Sequence, residues 1–237
     1  MGWLDDLVAH AHGAIGNREL EVLYGRGVSD EQIDLFSLGH LRHGPPANLP
    51  LSEDFMEWAS RGGRLDDVFV LPLTNAVGSI RGIQVRHVDR KRKGYSDFIE
   101  GNDEAILFGL GQAAPRMFDL GYAMLVEGAF DLFPLQRHVE PVFSTLHAGI
   151  SALTARLLRR LVSDLWLGYD SDPAGRHACK GIEVEHGDTF KVHTITFPRV
   201  QLPNGDKAKD PSDLWEAWGD DRMAKFLRSL REDWNHG

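Results

Sequence analysis

From Gly121 onward, short apolar runs alternate with amphipathic segments, and two of the apolar runs end on carboxylates. Ala123 to Val126 reads as a buried strand and Ala129 to Arg137 as a helix. Pro141 to Ser144 reads as a short strand, Ser151 to Val162 as an amphipathic helix and Leu165 to Tyr169 as a strand. Ala174 to Glu185 follows as a helix, then Phe190 to Phe197 as a strand containing His193. Such alternation predicts an α/β fold, a parallel sheet with helices on both faces. Helices over Ser212 to Trp218 and Asp220 to Glu232 close the chain.

Open α/β sheets bind ligands beyond the carboxyl ends of their strands. Glu127, in MLVEGAFD, directly follows one strand, and Gly128 permits a tight turn into the helix. Asp170 and Asp172, in WLGYDSDPAG, follow another strand. Residues two apart in an extended segment point the same way, so the two aspartates can face one ion. Magnesium, or manganese in its place, prefers such hard oxygen ligands and completes its shell with water and substrate phosphate. Glu127, Asp170 and Asp172 are therefore the catalytic metal-facing set. Asp131, one turn along the helix from Glu127, and Asp210, in KDPSD, are supporting ligands. The competing structural roles are an Asp-rich turn for Asp170 and Asp172, and helix capping for Asp210, Ser212 and especially Asp213.

The first half has a different texture. Residues 1 to 16 read as an N-terminal tail with His10 and His12 disordered in it. Ser29, with Gln32 three residues on, is a capping-box pattern that predicts a helix from Asp30 to Phe36. The run from His43 to Pro46 is a break; Ser52 caps a helix through Trp58 that Gly62 and Gly63 end. Asp67 to Leu73 and Ser79 to Asp89 read as strands around a turn at Asn75 to Gly78. Neither face of the second strand is cleanly apolar, which fits a functional sheet surface or an exposed ribbon. The division is therefore a tail over 1–16, a small α+β subdomain over 17–118, the α/β domain over 119–215 and a C-terminal helix over 216–237.

A basic cluster stands out in a chain of formal net charge −9. Arg81, Arg86, Arg90, Lys91, Arg92 and Lys93 crowd one stretch. A solvated charge run explains such a cluster, and so does phosphate contact; Arg86, inside a strand, favours contact. Arg156, Arg159 and Arg160 are assigned to solvent, and His147 and His177 to non-catalytic positions. The six Trp residues are read as packing. Cys179 is the single Cys, which excludes an internal disulfide and a Cys-based zinc ribbon. No apolar run is long enough to span a bilayer, and the start MGWLDDLVAHAHG has no signal-peptide pattern, so a soluble cytoplasmic protein is expected.

EGAFDLFPL and YDSDPAGRHA together resemble the Toprim domain of bacterial-type DNA primases, topoisomerases and some nucleases. The primase branch is most similar. STLHAGISALTARLLRRL resembles its linking turn and helix, and LPNGDKAKDPSDLW its Lys-Asp-Pro stretch, with Ser212 standing where the family usually has an acid. Upstream, RGVSDEQIDLFSLGHL and VFVLPLTNAVGSIRGIQVRHVDRKRKGY resemble the primase helical part and its basic sheet, in the same order. The resemblance implies magnesium-dependent joining of ribonucleoside triphosphates on single-stranded DNA, with the basic residues on template or nucleotide. It also implies that the chain corresponds to the polymerase core, as in a phage or mobile-element primase or one subunit of a split system. A replicative helicase or a separate zinc-domain protein is then the expected partner. Two other readings fit the same carboxylates: a Toprim nuclease or strand breaker, though Tyr24, Tyr95, Tyr122 and Tyr169 offer no obvious nucleophile, and a non-catalytic primase-like module that binds nucleic acid or helicase.

Overall fold

A computed structural model of the chain describes residues 2–61, 65–92, 94–101, 103–202 and 204–234. The sequence-predicted stop at Gly62 and Gly63, and Lys93 of the basic cluster, lie outside these residues.

The strands are β1 (Gly39–His43), β2 (Asp66–Thr74), β3 (Ile80–His87), β4 (Tyr95–Ile99), β5 (Leu107–Phe108), β6 (Tyr122–Val126), β7 (Val142–Ser144), β8 (Asp164–Leu167) and β9 (Lys191–Thr194). They form one sheet in the order β4-β3-β2-β5-β7-β6-β8-β9, with β1 also paired to β2. The expected parallel sheet is its second half, where β7, β6, β8 and β9 are mutually parallel. The first half is antiparallel. The short β5 joins the halves, pairing antiparallel with both β2 and β7.

Helices cover both faces, as the alternation of β6 requires. Met124 and Val126 enter one apolar cluster, with Phe130 and Phe133 of α6 (Ala129–Gln136) and Leu214 and Met223 of α9 (Pro211–Trp234). Ala123 and Leu125 enter the opposite cluster. There they meet Met117 of α5 (Leu110–Leu120), Leu158 of α7 (Ala152–Leu158) and Ile182 of α8 (Pro173–His186). The two closing helices of the sequence reading meet at Gly219, whose φ of 71° and ψ of −179° break the helical path.

The N-terminus corrects an expectation. The segment read as a tail is α1, Trp3–Gly13, and His12 is ordered by a 2.7 Å hydrogen bond between Nδ1 and the Leu38 carbonyl. Leu4, Leu7, Val8 and Ala11, spaced three or four apart, are buried on one face. They pack with Val68, Val70, Ile83 and Val85 of β2 and β3, and with Phe55 of α4 (Glu53–Ser60). Ile83 and Val85 thus lie under helices, so the centre of β3 is not an exposed ribbon.

The capping predictions meet the structure directly. Ser29 Oγ accepts from Gln32 N and Gln32 Oε1 from Ser29 N, opening α3 (Asp30–Leu35). Ser52 Oγ accepts from Phe55 N at the start of α4. At the β2–β3 turn, Asn75 Oδ1 accepts from Val77 N and Ser79 N, while Gly78 takes φ 83°.

Candidate active site

β6 and β8 are parallel neighbours with Leu125 opposite Leu167, so the residues just beyond them emerge side by side. Glu127 immediately follows β6. Asp170 follows β8 after Gly168 and Tyr169, and the expected strand end at Tyr169 is two residues beyond the observed one. Tyr169 is buried and its hydroxyl lies 2.8 Å from Thr145 Oγ1, which pins the turn that carries Asp170. The turn is tight: a Cβ on Gly175 would lie 2.1 Å from the Asp170 carbonyl oxygen.

A cavity of about 510 Å³ opens here, lined by Glu127, Asp131, Asp170, Asp210 and Asp213 together with Arg26, Arg86 and Arg90. Its carboxylates are strained electrostatically. Burial, reinforced by Asp170 and Asp172, raises the Glu127 carboxyl above its ordinary range. Asp131 is fully buried and pushed up further, by desolvation and by Asp210 and Asp170. Asp210 rises to about 6 through burial, Asp213 and Asp170. Two neutral helix roles coexist with this. Asp210 Oδ1 accepts from Asp213 N at 2.7 Å, capping α9, and Asp131 Oδ2 accepts from Gly128 N at 3.1 Å, closing the first turn of α6.

Asp172 stands apart. Its Oδ1 accepts from Gly175 N at 2.9 Å as the N-cap of α8, with Pro173 in the first turn, and that hydrogen bond holds its carboxyl below the usual range. It does not line the cavity, although its charge reaches Glu127. Where the sequence suggested an Asp-rich turn for this pair, the structure makes Asp172 the N-cap of α8 and leaves its Oδ2 free of the cap bond.

Sequence reasoning missed two side chains. Lys209 Nζ lies 2.5 Å from Asp170 Oδ2 and 3.8 Å from Asp210 Oδ2. Burial alone would lower its pKa, but Asp170 outweighs burial and the net shift is upward. Its position in KAKDPSD, beside Asp210, was the available signal. Arg26 is buried, with its guanidinium carbon 4.4 Å from the Phe130 ring centroid. Its Nε and Nη2 meet no hydrogen-bond acceptor among the described residues. Desolvation, with Arg86 and Arg90 nearby, lowers its pKa to about 9. Nothing in the turn Gly25-Arg26-Gly27 marks that arginine as buried.

Of the predicted basic residues, the fold brings two to the cavity. Arg86 stacks over Tyr95 at 4.4 Å, and Arg90 pairs with Glu216 at 2.9 Å. Arg81 pairs with Glu104 at 3.3 Å outside it, and Lys91 and Arg92 are solvent-exposed.

The carboxylates that line the cavity offer only oxygen donors, and burial, reinforced by neighbouring carboxylates, raises the pKa of several of them. A divalent hard cation matches that set. Among the described residues, the group whose ligand atoms all lie within 4.8 Å of one another is a different one, Glu19, His40 and Asp67. Arg18 pairs with both of its carboxylates, so that group already carries its own cation.

The chain is thus a mixed α/β sheet with carboxylates at adjoining parallel strand ends and a basic antiparallel extension. No protein-family model matches the chain. Curated relatives do: the DNA primase of Deinococcus radiodurans is 27% identical over 224 residues, 85% of this chain and 38% of that protein. The DNA primase of Aquifex aeolicus is 28% identical over 181 residues, 69% of this chain and 32% of that protein. Among solved structures, the RNA polymerase domain of Mycobacterium tuberculosis primase DnaG superposes with a TM-score of 0.75 at 19% identity, covering 94% of this chain and 80% of that one. A DnaG catalytic domain bound to single-stranded DNA gives 0.69 at 18%, covering 96% and 77%. The chain has the fold of the bacterial-type DNA primase catalytic core. It spans about two fifths or less of the length of these curated relatives. Among the described residues, no helix is long and apolar enough to cross a membrane.

Proposed function

We propose that the chain is a primase catalytic core that joins ribonucleoside triphosphates on single-stranded DNA by metal-dependent nucleotidyl transfer. The observation that carries this reading is one cavity lined together by buried and half-buried carboxylates and by arginines that range from buried Arg26 to half-exposed Arg90. Carboxylates alone bind cations; arginines alone bind phosphate. Lining one cavity together, they suit a metal–polyphosphate pair.

Glu127, Asp170 and Asp210, with Asp131 behind them, would hold magnesium or manganese. When bound, that cation supplies charge neutralisation on the transferring phosphoryl group. Arg26 and Arg86 receive the phosphates. Their planes are already set by Phe130 and Tyr95, so little side-chain freedom is lost on binding. Lys209 holds the Asp170 carboxylate in place, and Asp172 orients the same turn through its cap on α8. We assign Arg81, Lys91 and Arg92, which lie outside the cavity, to template, with Lys93 added on its sequence position alone, and we keep the subdomain boundary at residue 118, near the end of α5. The template and a helicase or zinc-domain partner enter by analogy with primases.

The test is labelled-nucleotide incorporation on mixed single-stranded templates with magnesium or manganese. Incorporation that disappears in Asp170→Ala, with the fold retained by circular dichroism, supports the reading. Metal-dependent nicking without incorporation favours a nuclease instead, and neither activity together with absent metal binding favours a binding module.

A further inference from the structure

The edge strand β4 presents Tyr95, Asp97 and Ile99 at alternate positions, hence on one face. Tyr95 lines the carboxylate–arginine cavity, whereas Asp97 and Ile99 line a second cavity of about 440 Å³. The opposite wall of the second is the loop of residues 145–151, and its Leu146 lines both cavities. The two spaces therefore adjoin along β4.

Their chemistry differs sharply. The first contains Arg26, Arg86 and Arg90; the second is lined by no Arg or Lys among the described residues. Its walls are apolar, with Ile99, Ile106, Leu146 and Ile150, and its polar groups include Asp97, Glu104 and His147. A phosphate would meet carboxylates there, but a flat, uncharged ring bearing N–H donors would meet apolar walls and an acceptor. Asp97 Oδ1 accepts from Gln84 Nε2 at 2.9 Å, while Oδ2 is 3.7 Å from His147 Nε2, beyond hydrogen-bond distance. One carboxylate oxygen is thus fixed by the sheet and the other is turned to the cavity.

We propose that this second cavity seats the nucleobase of a second nucleotide, the one whose 3′-hydroxyl starts the primer, with Asp97 accepting from the N–H edge of the base. The proposal rests on the nucleotidyl-transfer reading above. A first nucleotide has no primer strand to stack on, so a protein seat replaces that strand. From this seat its 3′-oxygen bonds to the α-phosphorus of the nucleotide in the arginine cavity; the bond to pyrophosphate breaks and the hydroxyl proton passes to water. Guanine offers two adjacent N–H donors to one carboxylate and is the base expected to bind tightest.

Titration of the full chain with guanosine monophosphate, the other three ribonucleoside monophosphates and inorganic pyrophosphate tests this. Ala148, exposed on the loop, lines the cavity, and Ala148→Trp fills it without touching the core. This variant is expected to weaken guanosine monophosphate by about tenfold or more, a loss of about 1.4 kcal/mol, while pyrophosphate affinity is unchanged. Asp97→Asn is expected to erase the guanine advantage. Wild-type affinity for the monophosphate in Ala148→Trp, or equal weakening of both probes, overturns the seat. An unchanged base ranking in Asp97→Asn overturns the role of Asp97. Selective monophosphate loss in a chain that incorporates no nucleotide would keep the seat and reject the nucleotidyl-transfer reading.

Discussion

Replacing Asp210 with Asn should make the metal-free chain more stable and the enzyme inactive. Asp210 is held at about 6 against an ordinary 3.8, so at pH 7.5 folding confines a charge that the unfolded chain carries freely. That displacement corresponds to about 3 kcal/mol of destabilisation. Asn keeps an oxygen for the cap bond from Asp213 N. It gives up the 3.8 Å contact with Lys209, worth about 1 kcal/mol at most because Lys209 is half exposed. The net gain is about 2 kcal/mol, or roughly 4–8 °C in Tm for a chain of this size. The sign with pH follows. A carboxyl with a raised folded pKa contributes stability that is complete below about 4 and is lost as pH rises through about 6. The advantage of Asp210→Asn over the wild type should therefore fade at pH 4 and be full at pH 7.5. Differential scanning fluorimetry in EDTA, at both pH values, measures it, and incorporation assays measure the cost. A lower Tm for Asp210→Asn in EDTA at pH 7.5 would refute the claim that this site is destabilised by its own charge.

The other predictions follow from the same geometry. Gly175→Ala should destabilise the chain by about 1–3 kcal/mol and lower incorporation, because the added Cβ meets rigid Asp170 backbone at 2.1 Å; urea melts and primer assays check both. Leu7→Ala should cost about 2–5 kcal/mol, since α1 is part of the core; a loss below 0.5 kcal/mol would mean that the helix is dispensable. Arg26→Met should leave stability unchanged or raised, having removed a buried charge with two unmatched donors, yet weaken nucleotide binding; thermal melts and nucleotide titrations separate the two effects. Arg90→Ala should change stability by about 0–1 kcal/mol, its Glu216 pair being partly exposed, so any loss of nucleotide affinity is directly attributable to the cavity.

Local signals carried far in this chain. Ser29 with Gln32, Ser52, and the Asn75–Gly78 turn are interactions within four residues, so pattern alone specifies them. The alternation after Gly121 gave the parallel strands, and the acids placed after them gave Glu127 and Asp170. β1, β4 and α5 were not read: each is short or carries an interruption such as Pro115, and each is stabilised by neighbours distant in sequence. The N-terminal segment failed for a related reason. Its spacing of Leu4, Leu7, Val8 and Ala11 is helical, but only β2 and β3 give that face something to cover.

The sequence by itself determined which acids stand at strand ends and which family the chain resembles, because these are matters of order and spacing. The tertiary structure alone decided which charges share a cavity. It drew Arg26 and Lys209 into the carboxylate site, left Arg81, Lys91 and Arg92 outside it, and turned Asp172 toward a helix cap. The reason is physical: burial and facing distance set the strength of an electrostatic contact, and neither is encoded by neighbours along the chain.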